Sequence, residues 1–229
     1  FLKKNMCIKK NIKSLEVEVD FLSKFDVIFW DFDGVVKESV QVKAEAYDAL
    51  FHTYGIEVQQ KVREHHLQHG GMSRYDKIPF YFQEYVHLHI SEKEQQEYQL
   101  KFQNLVVEKV IDSKWVLGVK DYLLRNSEIQ HFFLLTGTPQ DEIEYILDKL
   151  SIHSCFMGVL GAPSKKQEGL KNFLNEYKFS AEQCLMIGDS ITDYEAAKAY
   201  NIHFLFRITQ ENKKFADTIL SFLGISYVL

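Results

Sequence analysis

The sequence predicts an α/β fold with a parallel sheet and one all-helical insert. Short apolar runs rich in β-forming residues recur along the chain, and segments with helical patterns separate them. Strands separated by helices build parallel sheets, because the chain needs a crossover to return to the same end of the sheet. The long interval between the first two runs shows helical patterns only, so we expect an insert there.

Four runs are expected to form strands. They cover residues 25–30, 131–135, 184–187 and 203–208. Thr138 is expected to cap the next helix, with Pro139 as its first residue and Gln140 to Leu150 as its body. Threonine is a good N-cap residue, and proline is tolerated in the first helical turn.

The insert is expected to contain about four helices and no strand. Apolar residues at helical spacing cover residues 42–54, and Gly55 indicates the end of that helix. Ser91 and Glu94 form a capping box, which predicts a helix that extends towards Val110. The chain is thus divided into a core (residues 1–38 and 114–229) and an insert (residues 39–113).

The composition narrows the classes of partner. The 229 residues include 32 acidic and 27 basic side chains, which gives a formal net charge of −5. This balance argues against a nucleic-acid binder with a broad basic surface. No apolar run approaches the roughly 20 residues that cross a bilayer. We therefore expect neither nucleic acid nor a membrane as partner, and a monomer or homodimer.

The cysteines and the start of the chain favour a cytoplasmic protein. Cys7, Cys155 and Cys184 are far apart and form no recognisable disulfide framework or metal pair, which favours a reducing compartment. The first residues lack the apolar stretch of a signal peptide. Five lysines among residues 3–13 are expected to form a solvated tail. Residues 1–24 could add an edge strand or remain loose.

Polar residues follow the first three predicted strands. They occupy residues 31–34, 136–137 and 188–193. In parallel α/β sheets, ligands bind at the carboxyl ends of strands. Carboxylates there can bind a hard cation such as Mg2+, and a hydroxyl with backbone N–H groups can bind phosphate oxygens. The loop at residues 161–166 adds a lysine that can offset negative charge.

Taken in order, these segments resemble the four motifs of the haloacid dehalogenase-like (HAD) hydrolase superfamily. They are Asp31-Phe32-Asp33-Gly34-Val35-Val36 (DxDG[VT]), Phe133-Leu134-Leu135-Thr136-Gly137, Lys166 before Glu168 and Leu170, and Gly188-Asp189-Ser190-x-x-Asp193 (GDSxxD). The resemblance spans about Phe25 to Ile208 and is to the β-phosphoglucomutase and phosphoglycolate phosphatase branch. It implies a Rossmann-like three-layer core with a helical C1 cap domain, formed here by the insert.

The resemblance also implies how the site would act. Asp31 would attack phosphorus and form an aspartyl-phosphate. Asp33 would protonate the leaving alcohol and then accept a proton from the attacking water. Thr136 and Gly137 would bind phosphate oxygens, and Lys166 would neutralise them and orient Asp31.

By the same resemblance, the cofactor is Mg2+, bound by Asp31, the backbone carbonyl of Asp33, and Asp189. Asp193 follows Asp189 by one helical turn and would hold either Lys166 or a metal-bound water.

The lysine motif departs from the Lys-Pro-x-Pro-Asp form of many helically capped relatives. Lys166 precedes Leu170 by the spacing of a shorter Lys-x-Glu-x-Leu form, which favours it. Lys165 stays the alternative.

The segment Gly70-Gly71-Met72-Ser73-Arg74 resembles the G-x-S-R loop of β-phosphoglucomutase-like caps, in which the arginine meets the distal part of the substrate. Arg74 is one of four arginines against 23 lysines. An arginine in a lysine-rich chain indicates that its planar guanidinium, which can form two parallel hydrogen bonds, is needed there. The alternative is an ion pair on the helix surface with Asp76 or a neighbour.

Two other groups in the insert have structural interpretations. His65 and His69 have the spacing of a zinc-binding pair, with His66 between them, but no carboxylate or cysteine completes a set. We expect a role on the helix surface or at the cap hinge. Tyr75, Phe80, Tyr81, Phe82 and Tyr85 are expected to form the core of the cap rather than a ligand-stacking group.

The expected function is a Mg2+-dependent phosphatase that hydrolyses a small phosphorylated metabolite, either a sugar phosphate or a phosphorylated sugar acid. Asp33 favours phosphate esters, because relatives that cleave C–halogen or C–P bonds have another residue there. The alternative is a phosphosugar mutase, favoured by the Gly-x-Ser-Arg loop. A non-catalytic binding protein would be expected to lack Asp31, Asp33 or Asp189, and all three are present.

Overall fold

The computed structural model of the protein describes residues 21–213 and the backbone of residues 227–228. The predicted lysine-rich tail and Cys7 lie outside these residues. Within them, six strands form a parallel sheet in the order β3-β2-β1-β4-β5-β6. The strands are β1 (Val27–Trp30), β2 (His131–Pro139), β3 (Gly158–Ala162), β4 (Cys184–Gly188), β5 (His203–Phe206) and β6 (Tyr227–Val228). The predicted α/β fold is confirmed.

Strand β1 lies between β2 and β4. Its last residue, Trp30, lies opposite Leu134 and Ile187, so the residues that follow the three strands meet at one edge of the sheet. All four residues of β1 are buried. Such apolar runs are typical of parallel strands, because elements pack on both faces of the sheet.

Strands β3 and β6 were not predicted from the sequence. β3 lies at one edge of the sheet, and two of its five residues are glycines, which are uncommon in strands. β6 contains two residues at the opposite edge. Their local sequences therefore carry little strand signal.

Eight helices accompany the sheet in the described part of the chain. They are α1 (Val40–Phe51), α2 (Ile56–Gln68), α3 (Arg74–Tyr81), α4 (Glu92–Asp112), α5 (Val119–Asn126), α6 (Gln140–Lys149), α7 (Lys166–Tyr177) and α8 (Ile191–Ala199). Helices α1–α4 lie between β1 and β2, with a π-helical turn at Phe82–Val86. Division of the chain into two domains at residues 39 and 113 stays a prediction. None of the described helices is long and apolar enough to span a membrane.

Two predicted helix signals in the insert are confirmed. Gly55 adopts a φ of 92°, which side-chain-bearing residues rarely adopt, and it separates a short 3-10 turn from α2. The Ser91 hydroxyl accepts a hydrogen bond from the Glu94 N–H, and the Glu94 carboxylate accepts one from the Ser91 N–H at 2.7 Å. This capping box opens α4, which extends to Asp112.

The predicted cap at Thr138 is wrong. Strand β2 continues through Thr138 to Pro139, which lies opposite Ala162 of β3. Helix α6 begins at Gln140, so Pro139 occupies the N-cap position. The Thr138 hydroxyl instead donates a hydrogen bond to Asp33, and it is therefore engaged in the site rather than in capping the helix.

Hydrophobic side chains cover both faces of the sheet. Ile28 and Trp30 belong to one cluster, and Val27 and Phe29 belong to the other, as the two-residue alternation of a strand requires. The first cluster continues into the insert. The buried aromatic residues there are Tyr47, Phe51, Tyr81, Phe82 and Phe102.

The predicted aromatic core of the insert is confirmed in part. Tyr81 and Phe82 are fully buried, whereas Tyr75 and Tyr85 are half-buried. The Phe80 side chain is 37% exposed.

Candidate active site

The carboxyl ends of β1 and β4 bring three aspartates together. Asp31 directly follows β1, Asp189 directly follows β4, and Asp193 lies in the first turn of α8. Their carboxylate oxygens lie within 4.8 Å of one another. Lys166, the first residue of α7, reaches the same place. The structure thus brings together four sequence-predicted residues from three distant segments of the chain.

Lys166 lies between two of these carboxylates. Its Nζ is 2.8 Å from Asp31 Oδ1 and 2.6 Å from Asp193 Oδ1. Burial lowers the pKa of a lysine, but the charges of Asp193 and Asp31 outweigh it and raise the pKa of Lys166 above its ordinary value. Lys165 is exposed, so Lys166 is the lysine that contacts Asp31.

Asp193 positions Lys166. Its second oxygen, Oδ2, accepts hydrogen bonds from the Ser190 N–H at 3.1 Å and the Ser190 hydroxyl at 2.5 Å, so donors occupy both carboxylate oxygens. Gly188 packs directly against this carboxylate, and a β-carbon there would collide with it. Because donors occupy both of its carboxylate oxygens, Asp193 suits a supporting role better than metal binding.

Among the described residues, no hydrogen-bond donor contacts Asp31 Oδ2 or either carboxylate oxygen of Asp189. Lys166 donates to Asp31 Oδ1, and no donor in the described residues reaches the Asp189 carboxylate. Burial, together with the neighbouring carboxylates, raises the pKa of Asp31 to about 7 and that of Asp189 well above its ordinary value. A bound cation would stabilise the ionised form of these two buried carboxylates, whose pKa values are raised in its absence. Carboxylate oxygens are ligands that suit Mg2+. The residues therefore fit the predicted metal.

The Asp33 carboxylate contacts three side chains that were not predicted from the sequence as site residues. The Ser39 hydroxyl donates at 2.6 Å, the Thr138 hydroxyl donates at 3.2 Å, and Lys43 forms an ion pair. Burial raises the pKa of Asp33, but the charge of Lys43 and these hydrogen bonds outweigh it and hold the pKa below its ordinary value. No local signal separates Lys43 from the other lysines, because its role depends on how α1 packs.

Thr136 and Gly137 lie at the end of β2. Thr136 is buried, and its hydroxyl accepts a hydrogen bond from the Thr138 N–H at 3.2 Å. Gly137 lines the same cavity as Asp31 and Asp33. Their role in binding phosphate oxygens stays a prediction.

The loop at residues 70–74 reaches the site from the insert. The Gly70 carbonyl accepts a hydrogen bond from the Thr192 hydroxyl at 3.3 Å. Gly71 adopts a φ of 78°, and a β-carbon there would collide with the Thr192 hydroxyl and lie 3.3 Å from the Lys166 ammonium. The insert is therefore closed over the site, and only glycine fits at position 71.

Arg74 forms a buried ion pair between the insert and α6. Its guanidinium nitrogen lies 2.5 Å from Glu142 Oε1, and the group lies over the ring of Phe102 at 4.8 Å. The second Glu142 oxygen is buried and has no hydrogen-bond partner in the described segments, and burial raises the pKa of Glu142. The alternative of a surface pair with Asp76 is wrong, because Arg74 is buried. Arg74 lines the cavity, and its contact with substrate stays a prediction.

His65 and His66 lie on α2, and His69 directly follows it. His65 and His69 stack with their ring centroids 4.0 Å apart. Among the residues that the structure describes, the only group of three or more metal-binding side chains is the aspartate cluster. His66 is buried, and its Nδ1 accepts a hydrogen bond from Lys77 Nζ at 3.0 Å. The sequence analysis did not identify Lys77.

A comparison with protein families matches residues 25–201 to the haloacid dehalogenase-like hydrolases. The chain belongs to this family. The matched residues include the aspartate cluster, Lys166 and the whole insert. Curated protein sequences give no match.

Solved structures of other HAD-like proteins share the fold. A haloacid dehalogenase-like hydrolase from Streptococcus pneumoniae is 18% identical, with a TM-score of 0.64 over 90% of this chain and 94% of that one. A predicted phosphoglycolate phosphatase from Haemophilus somnus is 17% identical, with a TM-score of 0.64 over 80% and 85%. A β-phosphoglucomutase candidate from Bacteroides vulgatus is 16% identical, with a TM-score of 0.68 over 90% and 84%.

Proposed function

We propose that this HAD-like hydrolase is a Mg2+-dependent phosphatase that acts on a small phosphorylated metabolite, a sugar phosphate or a phosphorylated sugar acid. The arrangement of Asp31 against Lys166, with Asp33 beside it under the closed insert, carries the proposal. Asp31, the backbone carbonyl of Asp33, and Asp189 would hold Mg2+. The bound ion would supply positive charge that offsets repulsion between an anionic nucleophile and an anionic phosphate.

Asp31 is the nucleophile in this proposal. Lys166 holds its Oδ1, so Oδ2 is the oxygen left for attack on phosphorus. The bond from phosphorus to the leaving oxygen breaks as the bond to Asp31 forms, and Asp33 gives a proton to the leaving alkoxide. Thr136 and Gly137 would bind the phosphate oxygens.

The surroundings of Asp33 suit the second half of the reaction. Lys43 keeps the Asp33 carboxylate ionised, and an ionised carboxylate can accept a proton from the water that hydrolyses the aspartyl-phosphate. The first half needs a protonated Asp33. We therefore expect substrate binding to loosen the contact between Lys43 and Asp33.

A phosphosugar mutase is the second candidate. The closed position of the Gly70–Arg74 loop favours it, since a lid that excludes water protects an aspartyl-phosphate until a sugar hydroxyl attacks. A sugar monophosphate supplied with the corresponding bisphosphorylated sugar distinguishes the two functions. Isomer formation would support the mutase, and release of inorganic phosphate would support the phosphatase.

The proposal is tested by measuring phosphate release from a panel of phosphorylated metabolites with and without Mg2+. We expect Asp31→Asn to lower kcat by at least about 1000-fold, because it removes the nucleophile. Asp26→Asn is the matched control, since Asp26 is exposed at the opposite end of β1. Turnover by Asp31→Asn at the wild-type rate, or no turnover by the wild type, would contradict the proposal.

A further inference from the structure

Lys77 is a buried lysine without a carboxylate partner. It lies on α3 of the insert and is 1% exposed. In the described part of the chain, its Nζ has one hydrogen-bond partner, the Nδ1 of His66, and no ion pair. An ammonium group carries three N–H donors, so two of them have no acceptor among the described residues.

The other cations around the site are balanced by acidic groups. Lys166 pairs with Asp31 and Asp193, Lys43 with Asp33, and Arg74 with Glu142. Lys77 forms no ion pair among the described residues, although the charges of Asp33 and Asp189 act on it from further away and partly oppose the effect of burial. Burial lowers its pKa to about 7, and the charge of Lys43 contributes to the decrease. A buried ammonium is costly unless an anion pairs with it.

Lys77 and the nucleophile line the same cavity. Asp31 and Asp33 form the wall at the sheet edge, and Lys77 and His66 form part of the wall that the insert supplies. A phosphate ester whose phosphorus meets Asp31 must direct its other end away from the sheet. That end faces the insert.

Building on the proposed phosphatase function, we propose that Lys77 binds a carboxylate of the substrate and that His66 positions the Lys77 ammonium for this contact. A carboxylate carries one negative charge and two acceptor oxygens, which suit a buried ammonium group that has no ion pair among the described residues. A second phosphate carries about −1.5 to −2 near neutral pH and would leave excess negative charge. The structure thus favours a phosphorylated acid over a neutral sugar phosphate as substrate.

His66 suits the positioning role. It is buried, and the ammonium of Lys77 donates to its Nδ1. Within the part of the chain that the structure describes, its Nε2 has no hydrogen-bond partner, although the Val40 backbone lies near the ring. Burial lowers the pKa of His66 well below its ordinary value, and the charge of Lys77 adds to the decrease. A neutral His66 accepts a hydrogen bond from Lys77 without competing for the carboxylate.

The test compares kcat/KM for phosphate esters of short ω-hydroxy acids with those of diols of the same chain length. p-Nitrophenyl phosphate and the bisphosphates of the diols are included. We expect Lys77→Met to lower kcat/KM for the acid esters on the order of 100-fold, and for the neutral esters by less than about threefold. His66→Phe should act in the same direction with a smaller effect. Lys61→Met is the matched control, because it removes an exposed positive charge from the insert.

Two outcomes overturn the carboxylate site while leaving the phosphatase intact. One is an equal loss on acid and neutral esters in Lys77→Met, and the other is a wild-type preference for bisphosphates over acid esters. By contrast, failure of the wild type to hydrolyse any ester contradicts the proposed function itself.

Thermal unfolding provides a readout that does not depend on turnover. Lys77→Met should raise the Tm of the ligand-free protein, because it removes an unpaired buried charge. The free ω-hydroxy acids should raise the Tm of the wild type and not that of Lys77→Met. A lower Tm for the variant would identify Lys77 as structural and overturn the proposal.

Discussion

Lys166 and Lys77 are both buried lysines near one cavity, and they differ in what balances them. Lys166 contacts two carboxylates, whereas Lys77 contacts a histidine and no carboxylate. The pKa of Lys166 is raised by its partners, and that of Lys77 is lowered to about 7, mainly by burial. The lysine at the carboxyl ends of the strands is thus paired within the protein. The lysine of the insert has no ion pair among the described residues, and in our proposal it selects the substrate while Lys166 serves the reaction.

The largest expected effect separates these roles by activity. Lys166→Met should lower kcat about 1000-fold on acid and neutral esters alike, because in the proposed mechanism Lys166 orients the nucleophile and neutralises the phosphate oxygens. Steady-state kinetics on the paired esters measure this ratio. A selective loss on acid esters in Lys166→Met would break the distinction between the two lysines.

The second effect concerns folding stability. Lys166→Met leaves Asp31 and Asp193 buried without their shared cation and should lower the free energy of unfolding by about 3 kcal/mol. Lys77→Met should change it in the opposite direction. Urea unfolding without Mg2+ measures both values. Changes of the same sign would show that the two lysines have similar structural roles.

The third effect depends on pH and Mg2+. The pKa of Asp31 is about 7 and that of Asp189 is raised, so the folded protein binds protons more strongly than the unfolded chain. Without metal, the stability from these groups should therefore fall as pH rises from about 4 to about 7. Mg2+ binds the ionised carboxylates, so it should raise Tm more at about pH 8 than at about pH 5.

Asp189→Asn provides the control for this measurement. It removes a proposed metal ligand and should abolish most of the Mg2+-dependent increase in Tm. An increase that is equal at both pH values, or unchanged in Asp189→Asn, would place the metal elsewhere.

The smallest effect tests the hydrogen bonds around Asp33. Thr138→Val removes one donor to Asp33 and keeps the shape of the side chain. Because Lys43 and Ser39 still contact Asp33, we expect kcat to fall only about fivefold and stability to change by about 1 kcal/mol. Steady-state activity and urea unfolding of the variant check both values. A fall in kcat as large as that of Lys166→Met would contradict the prediction.

The structural features that could be predicted from the sequence are those that have a local residue pattern. Apolar runs reveal the central strands β1, β2 and β4, and the polar residues after them place Asp31 and Asp189 at one edge. The capping box at Ser91 is likewise a local signal. These features were predictable because buried parallel strands and helix starts have distinctive residue patterns.

The missed features depend on tertiary packing. Lys43 and Lys77 resemble any other helical lysine in the sequence, and only the packing of α1 and α3 brings them to the cavity. Thr138 has the residue type of a helix cap, but its neighbour Asp33 comes from a distant segment. Strand β3 is rich in glycine and is fixed by its pairing with β2.

The ion pair between Lys43 and Asp33 links the position of the insert to the charge state of Asp33. Lys43 belongs to α1, and Gly71, which lies against Lys166, belongs to the same insert. Any outward movement of the insert would withdraw a cation from Asp33 and expose Lys166 in one event. In the proposed function, opening of the insert would therefore remove the cation that keeps Asp33 ionised at the same moment that it gives a substrate access to the site.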